Sequence, residues 1–205
     1  MADPIVVKIG GGLLRGGSVT TVLAACREVA AMPGPVLVVP GGGPFAEAVR
    51  AADVQVGLPA PVTHAMALAA MDQFGAILAE LLPGISRTRE LTRPTGLTLL
   101  VAAAAFDGRQ GVPQSWDVTS DSLAVLAAGA IGAREAILLK RVPGVLREWP
   151  GDGPPIPALT ADELADLQAA GGGRAVDPYL AEAVRSTGVE VTVRAPGGTG
   201  TRISR

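Results

Sequence analysis

The sequence predicts an α/β protein, a three-layer αβα sandwich around a mainly parallel sheet. Three observations lead there. Short apolar runs alternate with segments of helical periodicity along the chain. The runs are apolar throughout, as strands covered on both faces are, and do not alternate as half-exposed strands do. Several of them close on glycine clusters or on a lysine, at the strand ends where such sheets hold their ligands.

Ile5 to Ile9 is a buried strand closed by Gly10-Gly11-Gly12. Ser18 is placed to cap a helix over Val19 to Ala31, with Val22, Leu23, Cys26 and Val29 at helical spacing. Pro35 to Val39 is a second strand, closed by Pro40-Gly41-Gly42-Gly43-Pro44, and a helix follows from about Phe45 to Ala52. A long helix runs from Val62 to Leu82, ended by Pro83-Gly84. Leu97 to Ala103 reads as a strand, Asp107 to Ser115 as a loop, Asp121 to Ala130 as a helix and Ala136 to Leu139 as a strand. After a Pro/Gly-rich loop over Trp149 to Pro157, Thr160 caps a helix over Ala161 to Ala170, which Gly171-Gly172-Gly173 ends. Pro178 to Ser186 is the last helix, and Val189 to Val193 and Thr201 to Ser204 are the closing strands.

The chain of 205 residues fits a single domain, 1–205. Hydrophobic residues make up 48% and charged residues 18%, with mean hydropathy +0.39. The longest apolar stretches, such as Leu97 to Phe106, fall short of the roughly 20 residues of a spanning helix, so no membrane is expected. The start carries no basic, signal-like segment, and Cys26 is the sole cysteine, which together point to the cytoplasm. Net charge is −2 and aromatics are 3% of residues, so neither a basic stripe nor stacking platforms for nucleic acid are present. A small-molecule partner is expected. The apolar surplus also predicts a homo-oligomer.

Of 17 basic residues only Lys8 and Lys140 are lysine, and each ends an apolar run. Lys8 precedes Gly10 and Gly11, where bare backbone N–H groups can approach an anion. A plain strand-turn explains the same residues less completely. Gly41, Gly42 and Gly43 close the second strand and open a helix, whose N-terminus adds positive potential. No Walker Gly-Lys-Ser/Thr occurs, and Arg15 stands where a dinucleotide fingerprint needs its third glycine. Trp116-Asp117-Val118-Thr119-Ser120-Asp121-Ser122 gathers two carboxylates and three hydroxyls at a helix start. Capping explains one of these groups and leaves the rest to hold lysines or Mg²⁺ beside a transferring phosphate.

The strand ending in Lys8 with Gly10-Gly11, Gly41-Gly42-Gly43-Pro44-Phe45, the Thr119-Ser120-Asp121-Ser122 helix start and the apolar strand before Val142-Pro143-Gly144-Val145, in this order, resemble the amino acid kinase superfamily over nearly the whole chain. His64-Ala65-Met66-Ala67, Ala70-Met71-Asp72-Gln73 and Trp116 to Asp121 are similar to its branch of aminomethylfuran-methyl phosphate kinases of methanofuran and methylofuran biosynthesis. The resemblance implies the amino acid kinase fold, with an acceptor side over about 1–115 and a nucleotide side over about 116–205. It implies an ATP-dependent kinase using Mg²⁺, with no metal ligand assigned to the protein, acting on a small-molecule phosphate acceptor. Lys8 matches the lysine that bridges the transferring phosphoryl group, and Asp121 the aspartate that orients the lysines. Gly10 and Gly11 match nucleotide-side donors. Gly41, Gly42, Gly43, His64, Asp117, Thr119 and Ser120 fall on the acceptor side. Asp72 is a candidate for the acceptor's amine or for a cap.

The chain departs from the family at Lys140-Arg141-Val142-Pro143-Gly144-Val145, where Thr-Asp-Val-Asp-Gly-Val is usual. Lys140, Val142, Gly144 and Val145 are still assigned to the nucleotide, with Arg174 in place of a second family lysine and Asp177 beside it. Arginine there is a forked clamp and not an equivalent of lysine. Two other readings stay open: a carboxylate kinase of the acetylglutamate kinase type, and a silent nucleotide- or anion-binding homologue.

Overall fold

The computed structural model describes residues 3–14, 19–148, 151 and 153–205. Its strands are β1 (Ile5–Ile9), β2 (Val36–Pro40), β3 (Ser86–Thr88), β4 (Leu97–Leu100), β5 (Glu135–Leu139), β6 (Ala158–Thr160), β7 (Glu190–Arg194) and β8 (Thr201–Ser204). Its α-helices are α1 (Thr20–Ala30), α2 (Gly43–Val56), α3 (Ala60–Leu81), α4 (Ala102–Phe106), α5 (Ser120–Ile131), α6 (Ala161–Ala169) and α7 (Leu180–Thr187). A short 3-10 helix, Gly11–Leu14, follows β1. The Ser18 cap, and Trp149, Pro150 and Asp152 of the Pro/Gly-rich loop, lie outside the described residues.

The sheet runs β3-β4-β2-β1-β5-β7-β8-β6. Pairing is parallel except between β7 and β8. From β1 the chain steps one way to β2 and β4 and later returns to β5 on the other side of β1. That reversal opens a crevice at the carboxyl ends of β1, β2 and β5, the place an open α/β sheet offers a ligand.

Each inner strand divides its side chains by parity between two cores. Val6, Leu37, Val39, Ala136 and Leu138 pack on the α5 side. Val7, Ile9, Val36, Val38, Ile137 and Leu139 pack on the opposite side, with Val22, Cys26 and Phe74. Nine of the twelve residues of α5 are buried, which is why its sequence shows no polar face. The capping box at Thr160 is formed: Thr160 N donates to Glu163 Oε2 at 2.7 Å, and Glu163 N donates to Thr160 Oγ1 at 3.1 Å.

Three elements differ from the sequence reading. The Leu97–Ala103 run breaks after Leu100, because the Asp72 carboxylate accepts from Ala102 N at 2.6 Å and Ala103 N at 3.2 Å and so starts α4. Asp72 is therefore a cap. The edge strands β3 and β6 are three residues long and largely exposed, so they carry no apolar signature. Helix α3 forms where the long helix is expected and, at 22 residues, is long and apolar enough by length and composition alone to cross a membrane. Here it packs against α2 and α4 and buries eight residues.

Candidate active site

Strand parity brings the two lysines together. Lys8 shares a face of β1 with Val6, so it points at α5 and away from the core that holds Val7 and Ile9. It lies in register with Leu138. Lys140, one step beyond Leu139, falls on the same side as Leu138. Asp121, in the first turn of α5, meets both: Lys8 Nζ donates to Oδ1 at 2.8 Å, and Lys140 Nζ bonds Oδ2. A carboxylate in a first turn is also favoured by the helix dipole. Lys8 and Asp121 are 4% and 3% exposed, so the pair is fully desolvated. Burial pushes the Asp121 carboxyl up, but the Lys140 and Lys8 ammonium groups outweigh it and hold it well below the usual carboxylate range. Burial draws the Lys8 ammonium down, and Asp121 only partly restores it. Each ammonium has three N–H donors and spends one on Asp121.

The start of α5 is held by a residue from the other end of the chain. No side chain from the cap position closes the helix. Instead Asp177 Oδ2 accepts from Thr119 N at 2.9 Å, Thr119 Oγ1 at 2.8 Å and Ser122 N at 3.0 Å. Its Oδ1 takes the Ser122 hydroxyl. Burial and the charge of Asp121 push the Asp177 carboxyl up to about 6 against these four donors.

The two glycine turns pack on each other. A Cβ on Gly11 would sit 2.1 Å from Gly43 N, and one on Gly41 would sit 2.4 Å from Gly11 N. Gly43 has φ +56°. Backbone contact between turns thus explains Gly11, Gly41 and Gly43, whereas a Cβ on Gly12 would meet open space.

Two cavities adjoin this centre. The larger, about 790 Å³, is lined by Lys8, Gly10, Gly12, Asp121, Lys140, Arg141, Val142, Arg174 and Asp177, among others. The smaller, about 50 Å³, lies between α2, α3 and the start of α5, with Gly42, His64, Leu68, Met71 and Ser120 in its wall. Arg50, Trp116 and Thr119 line both. His64 is 4% exposed and its buried Nε2 has no hydrogen-bond partner. Burial lowers its pKa, against a weak pull from Asp107, so the imidazole is neutral.

The structure thus gathers Lys8, Gly10, Thr119, Asp121, Lys140, Val142, Arg174 and Asp177 around one cavity, and Gly42, His64, Thr119 and Ser120 around the other. Six assigned residues line neither: Gly11, Gly41 and Gly43, which pack turn against turn, and Asp117, Gly144 and Val145. Asp117 is exposed, and its carbonyl accepts from Tyr179 N at 3.2 Å. Val145 is fully buried and its N–H donates to Thr201 Oγ1 at 2.8 Å. A Cβ on Gly144 would meet the same Thr201 oxygen at 2.6 Å, so this glycine anchors its loop to β8.

Sequence reading assigned no role to Arg50 or Trp116. The Arg50 guanidinium lies 4.0 Å from the Trp116 ring centre. Trp116 Nε1 donates to Asp53 Oδ2 at 2.8 Å, and Asp53 Oδ1 accepts from Leu58 N at 3.1 Å. The three-residue spacing of Arg50 and Asp53 on one helix face was the only signal available. The assembled site can hold a polyphosphate against two fixed ammonium groups and neutralise charge on a phosphoryl group moving between the cavities.

The family model described as "Amino acid kinase family" matches residues 3–195. The [5-(aminomethyl)furan-3-yl]methyl phosphate kinase of Methanocaldococcus jannaschii is 27% identical over 168 residues, which cover 79% of this chain and 76% of that protein. Among solved structures, uridylate kinase from Archaeoglobus fulgidus superposes with a TM-score of 0.73 at 18% identity, covering 98% of this chain and 99% of that one. Aspartate kinase from Synechocystis gives a TM-score of 0.73 at 19% identity, covering 98% of this chain and 39% of that one. These two likenesses concern the fold alone.

Proposed function

The chain belongs to the amino acid kinase family and is a phosphotransferase, and we propose that it uses ATP to convert [5-(aminomethyl)furan-3-yl]methyl phosphate to its diphosphate. The observation that carries the reading is the Lys8–Asp121–Lys140 cluster at the wall of the larger cavity, next to a small, mostly apolar pocket. The triphosphate lies in the larger cavity, its charge met by Lys8, Lys140, Arg141 and Arg174. The acceptor's phosphate oxygen attacks the γ-phosphorus, the bond from that phosphorus to the β-bridging oxygen breaks, and ADP leaves. Asp121 keeps both ammonium groups aimed before substrate arrives, so little reorganisation accompanies the transfer.

A metal held by protein carboxylates does not fit these residues. Among the described residues no group of three or more His, Cys, Asp or Glu side chains converges. Asp121 and Asp177 are already committed to two ammonium groups and four donors. Mg²⁺ in this reading arrives on the nucleotide's own phosphates. We place the activity in the cytoplasm, where the buried, unpaired Cys26 stays reduced. Self-association is assigned to the tip of α2 and α3, where Val54 and Val56 are 87% and 68% exposed beside Val62.

The test is diphosphate formation from the aminomethylfuran phosphate and Mg-ATP, followed by phosphorus NMR. Lys8→Ala should lower the rate by roughly 10²–10³-fold while the folded state persists. ATP binding with no phosphorylation of this or any other phosphate acceptor would make the protein a silent nucleotide binder. Phosphorylation of a carboxylate alone would place it with the carboxylate kinases.

A further inference from the structure

The smaller pocket and the larger cavity share one cationic group, the Arg50 guanidinium. It is exposed on α2, has no carboxylate partner among the described residues, and is stacked on Trp116. The indole is itself fixed, since Asp53 receives its N–H and the backbone N–H of Leu58. Asp53 thus anchors the ring, not the cation, and the face of Trp116 holds Arg50 without neutralising it. A guanidinium kept in place by a ring leaves its fork of N–H donors available to an oxyanion.

The pocket behind it has the complementary character. Its wall holds Ala46, Ala67, Leu68, Met71 and Leu123. Its volume of about 50 Å³ is room for three or four water-sized groups, so it takes the edge of a ring and leaves the rest at the mouth. One residue of that wall carries an unanswered polar atom: the buried Nε2 of the neutral His64. An unpaired polar atom in such a place costs stability unless a ligand meets it.

We propose that Arg50, held over Trp116 by Asp53, is the receptor for the anionic group of the acceptor. The acceptor's flat apolar body enters the pocket by its edge, toward His64, and its phosphate stays at the boundary with the nucleotide cavity. Arg50 is then a specificity-determining residue that selects phosphorylated acceptors over neutral alcohols of the same shape. The inference rests on the kinase reading above, and it names the residue that discriminates. It predicts that the acceptor half of the site recognises an aryl- or heteroaryl-methyl phosphate whatever the ring.

The experiment uses the full chain in a Trp149→Phe background, which leaves Trp116 as the only indole. Benzyl phosphate, benzyl alcohol and inorganic phosphate are titrated while Trp116 fluorescence is followed. Benzyl phosphate should change the emission and bind at least tenfold more tightly than benzyl alcohol. Arg50→Met should weaken benzyl phosphate on the order of 10–100-fold, the range for losing a charged hydrogen-bond partner. Arg50→Lys should recover only part of this, and ATP affinity should stay within about twofold. Thermal melts confirm that each variant folds; should Arg50→Met fail, Arg50→Gln replaces it. Equal affinity for phosphate and alcohol, no binding of benzyl phosphate by the parent, or an unaltered Arg50→Met would each overturn the proposal. A matching loss of ATP affinity would overturn it too, by moving Arg50 to the nucleotide site. Failure of the furan phosphate as a substrate, with the Arg50 effects intact, would instead remove the proposed acceptor and leave the clamp standing.

Discussion

Asp121 and Asp177 meet the same turn of helix, and burial acts on them alike, yet they end at opposite ends of the carboxylate range. Asp121 faces two ammonium groups and is held strongly ionised. Asp177 faces two hydroxyls and two backbone N–H groups, and burial together with the Asp121 charge pushes it up to about 6. Full charges overrule desolvation here, and neutral dipoles only reduce it. The difference separates two duties. Asp121 orders the cations that meet phosphate, whereas Asp177 ties the loop before α7 to the start of α5, so that Asp121 sits where it must.

The comparison is broken most severely by removing the charge on Asp121. Asp121→Asn leaves the buried Lys8 ammonium and the part-buried Lys140 ammonium facing each other without a counter-charge, and the expected loss is about 3–5 kcal/mol in a denaturant melt. The variant has one escape, because Lys8 is already drawn down by burial and can shed its proton. A lysine with a lowered folded pKa binds fewer protons folded than unfolded, so stability rises with pH below its ordinary value near 10.5. The deficit of Asp121→Asn should therefore shrink toward alkaline pH. A deficit under about 1 kcal/mol, or one independent of pH, would mean that the ammonium groups do not depend on Asp121.

Much of this centre is legible in the chain because it obeys local rules. A lysine closing an apolar strand, a glycine turn and an acidic helix start can each be read in place. Strand parity then puts Lys8 and Lys140 on one side of the sheet. What stays hidden depends on contacts far apart in sequence. Asp177 bonds Thr119 58 residues away, and Asp53 bonds Trp116 63 residues away, with no periodicity to announce either. Edge strands β3 and β6 are too short and polar to show a pattern. Val145 and Gly144 look like nucleotide-loop residues by position, but packing against Thr201 turns them from the cavity.

A smaller effect sharpens the contrast through pH. The folded pKa of Asp177 lies near 6, above its ordinary 3.8, so the folded state holds a proton that the unfolded chain has lost. Stability from this group is present below pH 4 and is lost as pH rises through 6, about 3 kcal/mol in all. Asp121 acts in the other direction, its contribution being lost as pH falls below 3.8. Urea melts between pH 4 and 7 should show a fall that Asp177→Asn removes. An identical slope in that variant would show that Asp177 is ionised as readily in the folded protein as in the unfolded one.

The hydroxyls on Asp177 give the smallest and most local test. Its Oδ2 receives three donors, two of them backbone, whereas the only donor to Oδ1 among the described residues is the Ser122 hydroxyl. Thr119→Val therefore removes a redundant bond and should cost about 1 kcal/mol. Ser122→Ala strips one oxygen of a buried carboxylate and should cost about 2 kcal/mol at pH 7. At pH 4 the carboxyl is protonated and its need for donors weaker, so both deficits should shrink, that of Ser122→Ala by more, because the Ser122 hydroxyl lowers the Asp177 pKa more than the Thr119 hydroxyl does. The Ser122→Ala transition should also move to higher pH, because one of the groups that lowers the Asp177 pKa is gone. Equal deficits for the two variants at both pH values would show that the two oxygens share their donors, and that Asp177 is held by the loop backbone and not by the start of α5.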